Sequence, residues 1–292
     1  MKRPNTVSAF GCNTYSYTLA LPADDCLRHL AGLGFTELEL MMVSGHLWPS
    51  ELDGPGRKAL RQHIGRLGVK VMTLNTPMVD MNLAGLAPET RRATLDQIIG
   101  IVGLAGDLEV PGVIITPGKA NPLFPAPRDR LEGYFLTALD ELCPLAKKAG
   151  TAIWVENVPF AFLPKISDLM VLLERYGNPD VGIVCDAANC HFAHEDPAQA
   201  LRKCRNRLKL VHLSDTNRWR YRHDAVGLGT VPFKDLPVVL TEIGYTGRGM
   251  LEVISDDPDR DILESVRRLT EMGFPSPQPG KPKRVRAKKT GQ

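Results

Sequence analysis

The chain has 292 residues, of which 43% are hydrophobic and 24% charged, so it can bury a large core and no disorder is expected for its bulk. Its formal net charge is +3, but six basic residues lie between Pro275 and Gln292, which leaves the rest of the chain net negative. A protein whose folded body binds nucleic acid should carry positive charge on that body, so this distribution argues against a nucleic-acid partner.

The two ends of the chain differ in composition from its middle. Residues 275–292 are rich in Pro and Gly and lack apolar periodicity, so we predict a disordered basic tail after a catalytic domain over residues 1–274. Residues 1–7 lack the apolar run of a signal peptide, and no uncharged apolar stretch of about 18 residues occurs. Six cysteines without CxxC spacing are typical of reduced thiols. We therefore expect a cytoplasmic protein that does not contact a membrane.

Short apolar runs alternate eight times with longer segments of helical periodicity. The predicted strands, in chain order, are Ser8 to Asn13, Thr36 to Met42, Lys70 to Asn75, Gly112 to Thr116, Ala152 to Glu156, Gly182 to Asp186, Leu208 to Leu213 and Met250 to Ile254. The predicted helices are Ala23 to Leu33, Gly56 to Leu67, Pro88 to Leu108, Arg130 to Ala149, Ile166 to Tyr176, Pro197 to Arg205, Phe233 to Ile243 and Asp261 to Met272. Eight consecutive strand–helix units favour a single (β/α)₈ TIM barrel over a doubly wound sheet.

Four of the predicted strands carry a polar side chain at or near their carboxyl end. The fifth ends at Glu156, the sixth at Asp186, the seventh near His212, and Glu252 lies within the eighth. Catalytic groups of α/β barrels lie at the carboxyl ends of the strands, so we expect these four side chains to converge. Three carboxylates and an imidazole would repel one another and lose hydration unless a cation neutralised them. The pattern therefore predicts one divalent metal ion, and this ligand set suits Mn²⁺, Mg²⁺ or Co²⁺ at least as well as Zn²⁺.

Four further polar residues are candidates for contact with a substrate. His223 lies in the long loop after the seventh strand, His46 in the loop after the second, and Glu39 near the end of the second strand itself. Lys119 follows Pro117-Gly118 and is the best cation for an anionic substrate group. The alternative for the histidines and the lysine is a solvated loop side chain, and Glu39 has the alternative of orienting a metal-bound water.

The motifs along the chain resemble those of the xylose isomerase-like barrel superfamily of sugar isomerases and epimerases, which also includes inosose dehydratases and endonuclease IV. The resemblance spans roughly Ser8 to Gly273 and rests on the order and spacing of several short motifs. These are Gly34-Phe35-Thr36-Glu37-Leu38-Glu39, Val155-Glu156-Asn157, Asp186-Ala187-Ala188-Asn189, His212-Leu213-Ser214-Asp215 with His223 and Gly227-Leu228-Gly229, and Gly244-Tyr245-Thr246-Gly247 leading to Leu251-Glu252-Val253.

Similarity to the ketose 3-epimerases implies that the four strand-end residues hold the metal and that Glu156 and Glu252 also act as acid and base. Arg218, six residues after His212, falls where those epimerases place a substrate-binding arginine. The implied activity is a divalent-metal-dependent isomerisation or epimerisation of a sugar, cyclitol or related polyhydroxy ketone through an enediolate. Related barrels often pair, which implies a homodimer.

Two positions depart from the epimerase pattern. Asn189 stands where epimerases usually have a histidine, and Phe162 stands where they have a second glutamate. Asn189 is accordingly a candidate substrate contact, and a dehydratase or 3-oxo-glycoside lyase remains an alternative. An AP endonuclease-like nuclease would need histidines where this chain has Asn75 and Thr116. A non-catalytic binding protein is a further alternative, because a fold alone does not determine chemistry, but four intact ligands argue against it.

Overall fold

In a computed structural model, which describes residues 6–78 and 80–274, eight parallel strands form a closed barrel. The strands follow one another around the barrel in sequence order, and β1 pairs with both β2 and β8. The strands are β1 Phe10–Asn13, β2 Glu37–Met41, β3 Lys70–Asn75, β4 Gly112–Ile115, β5 Ala152–Glu156, β6 Gly182–Asp186, β7 Leu208–Leu213 and β8 Gly249–Leu251. The predicted TIM barrel is confirmed, while the predicted basic tail lies outside the described residues.

Helices follow the strands and cover the outside of the barrel. They are α1 Ala23–Leu33, α2 Gly54–Leu67, α3 Pro88–Leu108, α4 Arg128–Ala149, α5 Ile166–Tyr176, α6 Ala187–Phe192, α7 Pro197–Cys204, α8 Leu236–Glu242 and α9 Pro258–Glu271. The main core fills the space between these helices and the sheet, with Phe35, Phe135 and Leu104 among its fully buried side chains. Among the helices described, none has the length and apolar character that a bilayer crossing requires.

A second, smaller core lies inside the barrel. It consists of five buried apolar side chains from β4 to β8: Ile114, Trp154, Val184, Leu210 and Met250. Side chains two residues apart on a strand point to the same face. The residues two positions beyond Trp154, Val184, Leu210 and Met250 are the four predicted metal ligands. The apolar layer therefore forms the floor on which the polar end of the barrel is built.

The structure corrects several predicted boundaries. The first strand begins at Phe10 and not at Ser8, because Thr6–Ala9 form a 3₁₀ turn. The eighth strand ends at Leu251, since beyond it the backbone N–H of Ile254 donates to the loop residue His223 (2.7 Å). The predicted helix from Phe233 to Ile243 is a 3₁₀ turn, Phe233–Asp235, followed by α8.

Three helices begin earlier than predicted, each by two or three residues: α2, α4 and α9. In α2 the side chain of Asp53 accepts a hydrogen bond from the backbone N–H of Gly56 (2.8 Å), which places the cap before a Gly-Pro pair. Helix α6 was not predicted at all. It has six residues, too few for a recognisable apolar period, and begins directly after Asp186.

Glycines at the start of β4 and β6 make room for the Trp154 ring, and Gly112→Ala should therefore destabilise the barrel. A Cβ at Gly112 would lie 2.6 Å from a ring atom of Trp154, whereas one at the exposed helical Gly65 would meet nothing within 4 Å. Overpacking of this kind costs about 1–3 kcal/mol, and Gly65→Ala should be neutral or stabilise by up to about 1 kcal/mol. Urea unfolding of both variants checks this, and equal unfolding free energies would contradict it.

Candidate active site

Four buried side chains meet at the carboxyl end of the barrel, each carried by a different neighbouring strand. Glu156 ends β5, Asp186 ends β6, His212 is the penultimate residue of β7, and Glu252 follows β8. One ligand atom from each of the four lies within 4.8 Å of the other three. The strand register sets Asp186 beside His212, and the backbone N–H of Glu252 donates to Leu213 (3.1 Å), which keeps Glu252 in line with its neighbours.

The imidazole of His212 is the centre of this cluster. Its Nδ1 lies 3.2 Å from Glu156 Oε1, 3.2 Å from Glu252 Oε2 and 3.9 Å from Asp186 Oδ2. Its other nitrogen, Nε2, lies 3.1 Å from Glu39 Oε2. Because a carboxylate only accepts hydrogen bonds, Nε2 carries a hydrogen and donates it to Glu39. The lone pair that His212 can offer a cation is then the one on Nδ1, which faces the three carboxylates.

Glu39 is held in place from several sides and is completely buried. Its carboxylate accepts hydrogen bonds from Asn13, from Thr73 Oγ1 (2.5 Å) and from Asn75 Nδ2 (3.0 Å), in addition to His212. Burial acts to raise the pKa of Glu39, but the charge and hydrogen bond of His212 outweigh it and lower that pKa. Glu39 is therefore an ionised partner that orients the His212 ring, as carboxylates behind metal-binding histidines do.

Removing this partner should weaken metal binding without removing a ligand. We expect Glu39→Ala to lower the affinity for Mn²⁺ by about 10- to 100-fold, because the His212 ring loses the acceptor that fixes its orientation. Titration of metal-free protein with Mn²⁺ measures the affinity directly. Glu37→Gln, at the other end of β2, is the matched control and should leave the affinity unchanged. Equal affinities in the two variants would contradict the role assigned to Glu39.

The electrostatics of the cluster fit a cation. Burial, reinforced by Glu252 and Glu156, raises the pKa of Asp186 well above its ordinary value. Burial acts to lower the pKa of His212, but Glu39, Glu252 and Glu156 outweigh it and raise that pKa well above the usual range. The buried Oδ2 of Asp186 has no hydrogen-bond partner, while Oδ1 accepts from the backbone N–H of Asn189 (2.5 Å). A carboxylate oxygen left without a donor among three other ligand groups is suited to a divalent metal ion.

A cavity of about 350 Å³ lies above the cluster, a volume suited to a small organic molecule. Glu156 and Glu252 reach it, whereas Asp186 and His212 lie below its lining. Among the predicted substrate contacts, Asn189 and His223 also line it. The two glutamates are thus the ligand residues positioned to touch both a cation and a bound molecule.

A chain of hydrogen bonds connects the polar side chains on one wall of the cavity. Ser214 Oγ lies 2.9 Å from His223 Nδ1, and the hydroxyl of Tyr221 lies 2.8 Å from His223 Nε2. Tyr221 donates to Asn189 Oδ1 (2.7 Å), and Asn189 Nδ2 is 3.4 Å from Glu156 Oε1. Burial lowers the pKa of His223, which favours the neutral ring. This wall presents donors and acceptors with fixed positions to a polyhydroxylated ligand.

The other predicted substrate contacts lie elsewhere. His46 is buried beneath a neighbouring loop, where its Nδ1 bonds the carbonyl of Leu21 (2.6 Å) and its Nε2 bonds Thr14 Oγ1 (3.0 Å). Lys119 and Arg218 do not line the cavity, and Arg218 is exposed on the loop after β7. Glu39 lies behind His212 and not on the cavity surface.

Several residues of the site were not predicted from the sequence. Tyr221 and Tyr15 line the cavity, and Asn13 bridges Glu39 and Glu252, with Asn13 Nδ2 lying 3.2 Å from Glu252 Oε1. Asn13 closes the first predicted strand, so the rule that selected the four ligands would also have selected it. Tyr221 had no comparable signal, because it lies in a loop without periodicity.

Comparison with known proteins identifies the family to which this barrel belongs. A family model described as xylose isomerase-like TIM barrel matches residues 27–272. The chain is 22% identical to fructoselysine 3-epimerase of Shigella flexneri, over 85% of this chain and 94% of that protein. It is 21% identical to L-ribulose-5-phosphate 3-epimerase of Salmonella paratyphi C, over 86% and 90%. A crystal structure of a D-tagatose 3-epimerase-like protein superposes with a TM-score of 0.77 at 23% identity, covering 90% of this chain and 96% of that one. The chain therefore belongs to the xylose isomerase-like TIM barrel family, and it is similar to sugar epimerases.

Proposed function

We propose that this protein is a divalent-metal-dependent isomerase or epimerase of a sugar, cyclitol or related polyhydroxy ketone. The observation that carries the proposal is the position of Glu156 and Glu252. They come from β5 and β8, the first and last of the four ligand strands, and both belong to the metal cluster and to the cavity lining. Inversion of a C–H centre needs two such groups on opposite faces of one carbon atom, one to remove the proton and one to return it.

The cluster's four side chains would hold one Mn²⁺, Mg²⁺, Co²⁺ or Zn²⁺ ion, which supplies positive charge to stabilise the substrate oxygens as a neighbouring C–H proton leaves. Glu156 or Glu252 takes that proton, and the opposite glutamate returns one. Return to the other face of the same carbon inverts its configuration. Return to the adjacent carbon, together with transfer of the hydroxyl proton from one substrate oxygen to the other, moves the carbonyl.

The remaining wall residues orient the substrate. Tyr221 and His223 hold each other and Asn189 in position through the hydrogen bonds described above, so their free donors and acceptors are fixed before a substrate arrives. Asn189 also approaches Glu156, which allows one side chain to contact both a substrate hydroxyl and the proposed acid or base.

Deuterium exchange tests the proposal. Protein freed of metal and then loaded with Mn²⁺ should incorporate deuterium from D₂O into a substrate C–H and interconvert a ketose pair from a panel of ketopentoses and ketohexoses. The metal-free protein is the control and should do neither. Loss of water or of an aglycone in place of a mass-neutral conversion would identify a dehydratase or lyase. Absence of exchange across the panel, in protein shown to hold stoichiometric metal, would contradict the proposal.

A further inference from the structure

The cavity above the metal cluster has a polar floor and an apolar outer wall. The floor is formed by the glutamates and the hydrogen-bonded wall residues already described. The outer wall includes Tyr15, Leu19, Met78, Val158 and Ile254. Leu19 is 95% exposed, Ile254 40% and Tyr15 37%, so these side chains lie where the cavity meets solvent. Apolar surface that remains exposed at the entrance of a polar site gains free energy only when an apolar part of a ligand covers it.

Positive charge is absent from the described side chains that line this cavity. None of the described residues that line the cavity is a lysine or an arginine. A third carboxylate, that of Asp80, lines it together with the two glutamates. A second groove shares Tyr15 and Leu19 with the cavity and continues outward, and there four aspartates outnumber two arginines. Arg260 Nη1 lies 3.1 Å from Asp257 Oδ2 and Arg222 Nε lies 3.8 Å from Asp224 Oδ1, so both arginines already have an anionic partner.

The usual phosphate position of this fold is acidic on the side of β8. The loop after β7 does carry Arg218, Arg220 and Arg222, but Arg218 and Arg220 line neither the cavity nor the second groove. In TIM barrels, phosphate groups frequently bind at the loops after strands 7 and 8, next to a helix N-terminus. Here the loop after β8 contains Asp256 and Asp257, and the first turn of α9 contains Asp259 and Asp261. These carboxylates take the favourable position at the positive end of the helix and repel a phosphate dianion.

We propose that the substrate is an uncharged polyhydroxy ketone with an apolar far end, such as a deoxy carbon or an alkyl or aryl substituent, and not a phosphate ester. This inference rests on the proposed function and narrows its substrate class. The reacting carbon and its oxygens occupy the polar floor, while the far end packs on Tyr15, Leu19 and Ile254. A phosphate placed there would meet apolar side chains and a surplus of aspartates, and the two arginines of the second groove are each already paired with an aspartate, so they are poor donors to it.

Matched ligands test the substrate class. We would compare D-fructose, 6-deoxy-D-fructose and D-fructose 6-phosphate, and the same three forms of D-tagatose. Calorimetric binding to the Mn²⁺-loaded Glu156→Gln variant measures affinity without turnover, and deuterium exchange by the wild-type protein measures kcat/KM. Relative to the parent ketose, the 6-deoxy form should bind roughly tenfold more tightly and the phosphate ester at least roughly tenfold more weakly. A phosphate ester that binds as well as its parent ketose would overturn the inference.

A charge placed on the outer wall gives a second, independent measurement. Leu19→Lys should strengthen binding of the phosphate ester several-fold at low ionic strength, with the gain declining as salt is added. Leu123→Lys is the matched control, because Leu123 is 93% exposed and does not line the cavity. An equal effect of both variants would count against the inference. If no ketose undergoes exchange but the binding order holds, the proposed function fails and the substrate class stands.

Discussion

Glu156→Gln and Glu252→Gln, each loaded with Mn²⁺, should lower turnover by at least about 10²-fold while the protein keeps most of its metal affinity. Removal of a general acid or base typically costs about 10² to 10⁴ in rate. A glutamine still offers one oxygen ligand to a cation that three other side chains hold, but it cannot accept or return a proton. The expected signature is therefore a loss of kcat that exceeds the loss of metal affinity.

Two quantities are measured for each variant. A titration with Mn²⁺ gives the metal affinity, and kcat is measured at saturating Mn²⁺ for whichever ketose undergoes exchange. Glu195→Gln is a suitable control, because Glu195 is another buried glutamate, which accepts from the backbone N–H groups of Ile166 and Ser167 outside the cavity. It should affect stability more than kcat. Near wild-type turnover in both metal-loaded glutamine variants would show that another residue that lines the cavity, such as His223, transfers the proton.

Asp186→Asn and His212→Ala should lose activity because they lose the metal, in contrast to the glutamine variants, which should keep it. Neither side chain reaches the cavity surface, so both act on the substrate only through what they hold. We expect loss of Glu39, which lies behind His212, to cost about 10- to 100-fold in metal affinity. Loss of a direct ligand should cost more than about 10²-fold. Activity should return in part at high metal concentration.

Asp186→Asn needs its own control, because Oδ1 of Asp186 also caps helix α6. Asparagine is as good an N-cap as aspartate, so its oxygen keeps the cap and its NH₂ group, which cannot bind a cation, replaces the Oδ2 that faces the cluster. Asp53→Asn makes the same change at the cap of α2, outside the cavity and the metal cluster, and should leave metal affinity unchanged. Thermal unfolding with and without Mn²⁺ gives a readout independent of activity. A metal-induced rise in Tm that is equal in wild type and Asp186→Asn would contradict the assignment.

The four residues of the candidate metal site could be predicted from the sequence because they obey two simple rules. A buried parallel strand reads as a short apolar run, and in a barrel its carboxyl end faces the site, so a polar residue that closes the run stands out. Glu156 and Asp186 are the last residues of their strands, and His212 is the last residue but one of its strand. Glu252 was identified by the same reasoning, although the observed strand β8 ends one residue before it. Its position still follows the strand pattern, because the backbone N–H of Glu252 donates to the carbonyl of Leu213 on β7.

The loop residues could not be placed by such rules. His46 and His223 each lie in a loop that follows a strand, and the sequence does not distinguish them. In the structure, however, His46 is buried against Leu21 and Thr14, whereas His223 lines the cavity. A loop has no period from which the direction of a side chain can be read. Glu39 shows a different limit, because its partner His212 is 173 residues away and their contact depends on closure of the whole barrel.

Closure of the barrel between β1 and β8 has a consequence for synthesis of the protein on the ribosome. Glu39 emerges with the second strand and Glu252 only after the last, so the buried acids cannot be assembled until nearly the whole barrel has been translated. Until β8 emerges, β1 and β7 are open sheet edges, which are the surfaces most prone to pair with other chains. A nascent chain that stalls before Gly249 therefore exposes both edges and lacks Glu252, one of the four residues of the candidate metal site.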